Sequence, residues 1–362
     1  MKTRNIFCLL LLFTLAVSVI AFFSCQSSDS PVDLSSIYIT EIKDGDLYKF
    51  NVKTGTSTPL CDDPLCDHSD ENCKFSGVSR IIIKGDKIYY IKDSGIIEEY
   101  GERKLVQYIY EYSYSTGVYT KLYETRDDKY GGISYRFDYN EGYIYFYKKI
   151  LENGKTRAKL YRINTISKEI EELFVSDDIF KAVIGGRLYY VETGKGIYSL
   201  NIAGEDKRYI LENPNIYMIK PSSNSNYLYY SLYNNVGDTI KYSLYILNLK
   251  TSESVLVTEN APLSLYYGIS DSDSTLYFLN VAEEPTLVFT GSDGHKYYNT
   301  SGGIIYSYNL KNKKTSVFYS DKNLDIFSIE CVGNNLVVKY NKQVGNAYLV
   351  NAGILVLPMQ EN

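Results

Sequence analysis

The sequence predicts an all-β protein, a β-propeller of four-stranded blades. Three observations carry that expectation. A short phrase of aliphatic residue, tyrosine, spacer, apolar residue and Asn or Ser recurs six times. It reads DLYKFN (46–51), YIYEYS (108–113), KLYRIN (159–164), GIYSLN (196–201), SLYILN (243–248) and IIYSYN (304–309). Repetition at a period of tens of residues marks a repeat architecture. Around each phrase from the second onward lie further strand-like runs, four to a set. Helical periodicity and helix caps are missing, which argues against a helical solenoid. Tyrosine, at 39 of 362 residues with no tryptophan, suits strands whose rings pack inward and whose hydroxyls reach water.

Along the chain, Lys2 and Arg4 precede an uncharged, mostly apolar run over 6–23, the pattern of a secretion signal. Ser24-Cys25 followed by QSSDS resembles the lipobox of bacterial lipoproteins, although Phe22 and Phe23 stand where a leucine and a small residue are usual. The resemblance implies cleavage after residue 24, lipidation of Cys25 and an extracytoplasmic, surface-anchored protein. Residues 26–35 then form a tether of at most roughly 35 Å, and 36–359 form the propeller. Loss of Lys2 and Arg4 leaves 36 basic against 43 acidic residues, a charge near −7. That excludes nucleic acid as a partner, because phosphate binding needs a basic face. The membrane link is expected through the lipid alone.

Three strands open the body (SIYIT, DLYKFN, STPLC). Five full sets follow over about 78–321, with second strands KIYYI (87–91), YIYFY (143–147), RLYYV (187–191), YLYYS (227–231) and TLYFL (275–279). Ahead of them run SRIIIKG, SYRFDYN, FKAVIGG, IYMIKPS and SLYYGIS, read as innermost strands. Three more strands close the chain (IFSIEC, NLVVK, GILVLP). Six terminal strands exceed one blade, so seven blades with incomplete ends are favoured. Six blades with surplus strands packed outside is the alternative.

The first and third hairpins of each set are tight. The second ones, 92–107, 148–158, 232–241 and 280–303, are long and share a face with the crossing 62–76. Irregular loops of that length on a rigid scaffold are where binding concentrates. On this face the expected ligand contacts are Tyr100, Arg103, Tyr233, His295, Tyr297 and Tyr298, since aromatic and Arg residues dominate binding hot spots.

The crossing LCDDPLCDHSDENCKF holds Cys61, Cys66, His68 and Cys73. Three thiols and an imidazole within thirteen residues can form a Cys₃His zinc site. Outside the cytoplasm a disulfide with one thiol left over is the competing reading, and a reactive thiol is a third. Cys331, at the end of an innermost strand, is expected to stand apart from them. With its lipobox and repeats, this LC-x-x-P-x-C-x-H…C segment resembles uncharacterised bacterial lipoproteins that carry a TolB-like or LDL-receptor-like propeller. That resemblance implies location and fold and supplies no activity.

No G-x-S-x-G elbow, H-E-x-x-H, P-loop or dinucleotide fingerprint occurs. The leading expectation is therefore a non-catalytic module that binds or scaffolds an extracellular peptide, protein or glycan. A hydrolase or lyase with charged groups at the propeller channel is one alternative. A metal- or redox-responsive lipoprotein is the other.

Overall fold

The computed structural model describes residues 37–359 apart from 43–44, 69–72, 100–101, 129–131, 237–238, 263, 273, 282–285, 291–295, 300, 302 and 345–346. The expected signal, Cys25 and the expected tether lie outside the described residues. The chain is an all-β propeller of antiparallel sheets that follow one another in sequence order. Sheet 1 is Ile37–Ile42, Asp46–Asn51 and Thr56–Pro59. Four-stranded sheets 2 to 6 begin at Val78–Lys84, Gly132–Asn140, Ala182–Ile184, Ile216–Pro221 and Ile269–Asp271. Sheet 7 is Leu324–Val332, Asn335–Val344 and Ala347–Pro358. Among the described residues the one helix is the single turn Leu265–Gly268, too short to cross a membrane.

Strand side chains alternate between faces, and this rule explains the doubled tyrosines. In sheet 4, Leu188 and Tyr190 enter the core shared with sheet 3, while Tyr189 enters the core shared with sheet 5. The same split sends Ile88 and Tyr90 one way and Tyr89 and Ile91 the other in sheet 2. Leu276 and Phe278 part from Tyr277 and Leu279 in sheet 6. Both faces of each second strand are thus buried, so these strands read as continuous apolar runs. Six cores of this kind join consecutive sheets. A seventh, of Phe50, Val52 and Val337, joins sheet 1 to sheet 7 and closes the ring.

The repeated phrase has two structural jobs. Its tyrosine marks a register shift against the fourth strand in every four-stranded sheet, between Ile109 and Tyr110, Lys159 and Tyr161, Ile197 and Tyr198, Leu244 and Tyr245, and Ile305 and Tyr306. Such bulges increase the local twist that lets a sheet sit radially. Its terminal Asn closes the next turn: the Oδ1 of Asn51, Asn164, Asn248 and Asn309 accepts the N–H groups two and three residues on. The residue four positions after the Asn or Ser then turns left-handed in five of the six repeats, as Gly55, Gly117, Lys168, Ser252 and Lys313.

The long second hairpins differ from expectation. The described residues of segments 92–107, 148–158 and 232–241 are continuations of paired strands, not irregular loops. In the first, a register shift between Asp93 and Ile96 absorbs Gly95, whose φ is 84°, and pairing resumes beyond it. Segment 280–303 holds a small ribbon, Thr286–Thr290 with Lys296–Asn299. SLYYGIS also departs from the strand reading, since its first half forms the helical turn.

The turn geometry yields a stability prediction. Ser252 is exposed and holds φ 59°, a region that costs L-residues roughly 1–2 kcal/mol. Ser252→Gly removes that strain but adds chain entropy to the unfolded state. A net gain of about 0.5 kcal/mol is expected in denaturant melts, whereas Gly55→Ser at the equivalent turn should lower stability.

Candidate functional site

Two constellations collect the chain's chemistry, the cysteine crossing and a hollow at the ring centre. The crossing is fixed from both sides. Leu60 donates its N–H to the Leu47 carbonyl at 2.9 Å, and Leu47 donates to the Phe75 carbonyl at 2.9 Å. The buried Lys92 ammonium donates to the carbonyls of Cys73 at 2.9 Å and Ser76 at 2.5 Å. Leu60, Cys73, Phe75 and Val78 belong to the core between sheets 1 and 2. Within this frame one ligand atom each from Cys61, Cys66, His68 and Cys73 lies within 4.8 Å of the others.

His68 has φ 53°. That left-handed turn brings its Nδ1 to 3.7 Å from the Cys73 Sγ across the single spacer after Cys66. Tetrahedral ligands held about 2.0–2.3 Å from one ion stand roughly 3.5–3.8 Å apart, so the set can hold a metal ion. The three sulfurs are not joined to one another. Burial, with Cys66 and Cys61 alongside, pushes the Cys73 thiol up to about 12. Cys331 stands apart in sheet 7, its N–H donated to the Ser270 Oγ at 2.9 Å.

The central hollow has a volume of about 670 Å³. Its walls come from the first strands of sheets 2, 3 and 5, from the lead into sheet 4 and from the helical turn ahead of sheet 6. They contribute Arg80, Arg136 and Asp138, Lys181, Lys220, and Tyr266 and Tyr267. A second hollow of about 430 Å³, between sheets 6 and 7, has no charged side chain in its lining.

The charged groups are held by backbone and rings. Arg136 lies 4.7 Å over the Tyr266 ring, and the Tyr266 hydroxyl donates to the Ile219 carbonyl at 3.2 Å. Lys220 donates to the carbonyls of Ile269 at 2.7 Å and Tyr266 at 3.3 Å. Burial holds the Lys220 ammonium below its usual range against the opposing pull of Glu330, Asp271 and Cys331. Lys181 is lowered by burial and then by Arg136, with Asp178 opposing. The half-buried Asp138 accepts the Tyr139 N–H at 2.9 Å. Burial pushes its carboxyl up to about 6 despite that bond, Arg136, the Val183 N–H and Lys84.

Of the residues expected on the long-hairpin face, four lie among the described residues. Arg103 is exposed opposite Glu98 in sheet 2. Tyr233 is half-buried opposite Tyr242 in sheet 5. Tyr297 and Tyr298 pair with Phe289 and Leu287 in the ribbon. Tyr100 and His295 lie outside the described residues. Sequence reasoning missed the channel cations. Their signal was one basic residue inside each of four consecutive innermost strand runs: SRIII, SYRFD, FKAVI and YMIKP.

The Asp138 environment yields a pH prediction. A carboxyl raised above its unfolded value favours folding in its protonated form. That contribution is complete below about 4 and is lost as pH rises through about 6. Arg136, Lys84 and Tyr266 are the titratable groups facing it. Asp138→Asn should flatten this part of the profile, so unfolding midpoints between pH 4 and 7 fall less steeply than in the parent.

No family model matches the chain, and no curated protein sequence matches it. Among solved structures it is similar to an oligogalacturonate lyase from Vibrio parahaemolyticus, with a TM-score of 0.57 and 11% identity over 88% of this chain and 84% of that one. It is also similar to the Niastella koreensis GH74 enzyme, at 0.49 and 14%, over 87% of this chain and 50% of that one. The β-propeller domain of the Trilobed protease from Pyrococcus furiosus gives 0.47 and 9%, over 79% and 85%. At these identities the likeness is one of fold: the chain shares the propeller.

Proposed function

We propose that the chain is a seven-bladed propeller lipoprotein, tethered to the outer side of a membrane through Cys25, that works as a non-catalytic binding module. Its ligand is an extracellular peptide, protein or glycan. The observation that carries this reading is the central hollow, to which successive blades deliver four cations and two tyrosines. Several of these groups are oriented by the backbone. Lys220 is anchored on two carbonyls and Asp138 accepts a backbone N–H, so both are held in place at the hollow. Tethering fits the signal and the Ser24-Cys25 junction.

One observation favours the hydrolase or lyase reading: a carboxyl raised to about 6 beside an arginine and a tyrosine, the pattern of a general acid–base. The similarly folded oligogalacturonate lyase is itself an enzyme. Recovery of ligand after incubation separates the readings. Mass spectrometry is expected to return it intact; cleavage products would transfer the function to the enzyme reading. Cys25→Ser should move the protein from the membrane fraction to the medium, and unchanged fractionation removes the anchor.

For the crossing we propose one zinc ion held by Cys61, Cys66, His68 and Cys73. Soft thiolates with one imidazole suit zinc, and four protein ligands leave no open position for catalysis. The ion would brace the crossing between the first two blades. Elemental analysis should find about one zinc per chain in the parent and in Cys331→Ser, and a large loss in His68→Ala. A disulfide among the three cysteines found by peptide mapping defeats this assignment.

A further inference from the structure

We propose that the central hollow binds an acidic carbohydrate, its carboxylate or sulfate groups held by Arg80, Arg136, Lys181 and Lys220 and a ring face laid on Tyr267. This rests on the binding-module reading and names its ligand class. The charge balance is the first argument. The lining carries four cations against the single carboxylate of Asp138, in a chain whose net charge is −5. The lining itself therefore carries a cationic surplus, with Asp178, Asp271 and Glu330 acting on Lys181 and Lys220 from outside it. Arg136 and Lys181 line the same hollow and repel each other, Arg136 standing behind burial as the second cause of the lowered Lys181 ammonium, and an anion between them relieves that repulsion. Guanidinium forks take carboxylate and sulfate through paired hydrogen bonds.

The aromatic pair is the second argument. Arg136 already covers Tyr266, whereas Tyr267 lines the hollow and is 57% exposed. An open ring beside cations matches a ligand that is part apolar face and part anion. The volume falls within the roughly 300–1,000 Å³ of small-molecule sites.

An acidic peptide fits less well. Main-chain recognition needs a run of unpaired edge groups. Here the innermost strands of sheets 4 and 6 are three residues each, Ala182–Ile184 and Ile269–Asp271. Pro221 removes a donor from the edge of sheet 5.

Calorimetry on the full chain tests the proposal with three probes: a galacturonate oligosaccharide, a glucose oligosaccharide of equal length, and hexaglutamate. The acidic sugar is expected to bind, more weakly as salt rises, and the other two to bind at least tenfold less well. Lys181→Met and the exposed-site variant Arg80→Gln should each weaken the acidic sugar on the order of tenfold. Lys313→Met, on a remote turn, should not, and thermal melts confirm that all three fold. Equal binding of the glucose oligomer, equal or tighter binding of hexaglutamate, no binding by any probe, or an equal loss in Lys313→Met overturns the inference. Binding of hexaglutamate alone leaves the module reading in place. Binding followed by cleavage of the acidic sugar upholds the channel ligand and refutes the non-catalytic reading.

Discussion

A sheet that is apolar on both faces has to be covered on both, and here only other sheets can do it. Everything else in this structure depends on that constraint. The fully buried Tyr90, Tyr147, Tyr190 and Tyr229 are large side chains placed where one sheet meets the next. Their neighbours in sequence serve the opposite core. No single sheet can satisfy its second strand alone, so the array has to continue until the last sheet meets the first. Phe50 and Val52 against Val337 are the contact at which it does. The bulge at the repeated tyrosine and the Asn-closed turn are local devices that keep each sheet twisted and in register while this packing is completed.

The same constraint frees the innermost strands. Once the second and third strands supply the cores, the first strand of each sheet can spend some of its positions on the channel. Arg80, Arg136, Asp138 and Lys220 occupy such positions, and Lys181 stands just ahead of the first strand of sheet 4. Burial removes these charges from water, which is why Lys181 and Lys220 are lowered and Asp138 is raised, with Arg136 adding to the effect on Lys181. Backbone carbonyls and the Tyr266 ring hold them in place, so the site is built before a ligand arrives. Pre-organisation of this kind favours binding because little ordering remains to be done.

Much of the fold was legible in the sequence because its signals are local. The period-2 tyrosines, the phrase ending in Asn and the tight Gly-containing turns each state one residue's conformational need. What escaped was non-local. Gly95 looked like a loop signal, yet a bulge absorbs it and pairing resumes between Ile96 and Leu105. LYYG reads as strand by composition but forms a helical turn, with Leu265 fully buried and Tyr266 turned to the channel. A lone Arg or Lys in an apolar strand looks like a tolerated exception. Only the closed ring reveals that four such exceptions face one hollow. The cysteine cluster was legible as a group that can gather at one point, because its spacing confines all four residues to one short segment.

Sheet 1 shows how the crossing and the ring depend on each other. It has three strands, and its last, Thr56–Pro59, is exposed along its length. With so little surface of its own, sheet 1 contributes Leu47 to the core it shares with sheet 2, and the crossing adds Leu60, Cys73 and Phe75. The crossing therefore does the covering work that a fuller blade would do by strand packing. Phe75 meets Tyr112 edge-on with ring centroids 5.0 Å apart, and Lys92 fixes the carbonyls on either side of it. A segment without regular structure can hold such a core only if its own turns are pinned. Four ligands gathered within 4.8 Å are the means available in this sequence. If the proposed ion is bound, the cysteines and the closing contact at Val337 brace opposite faces of the same weak sheet.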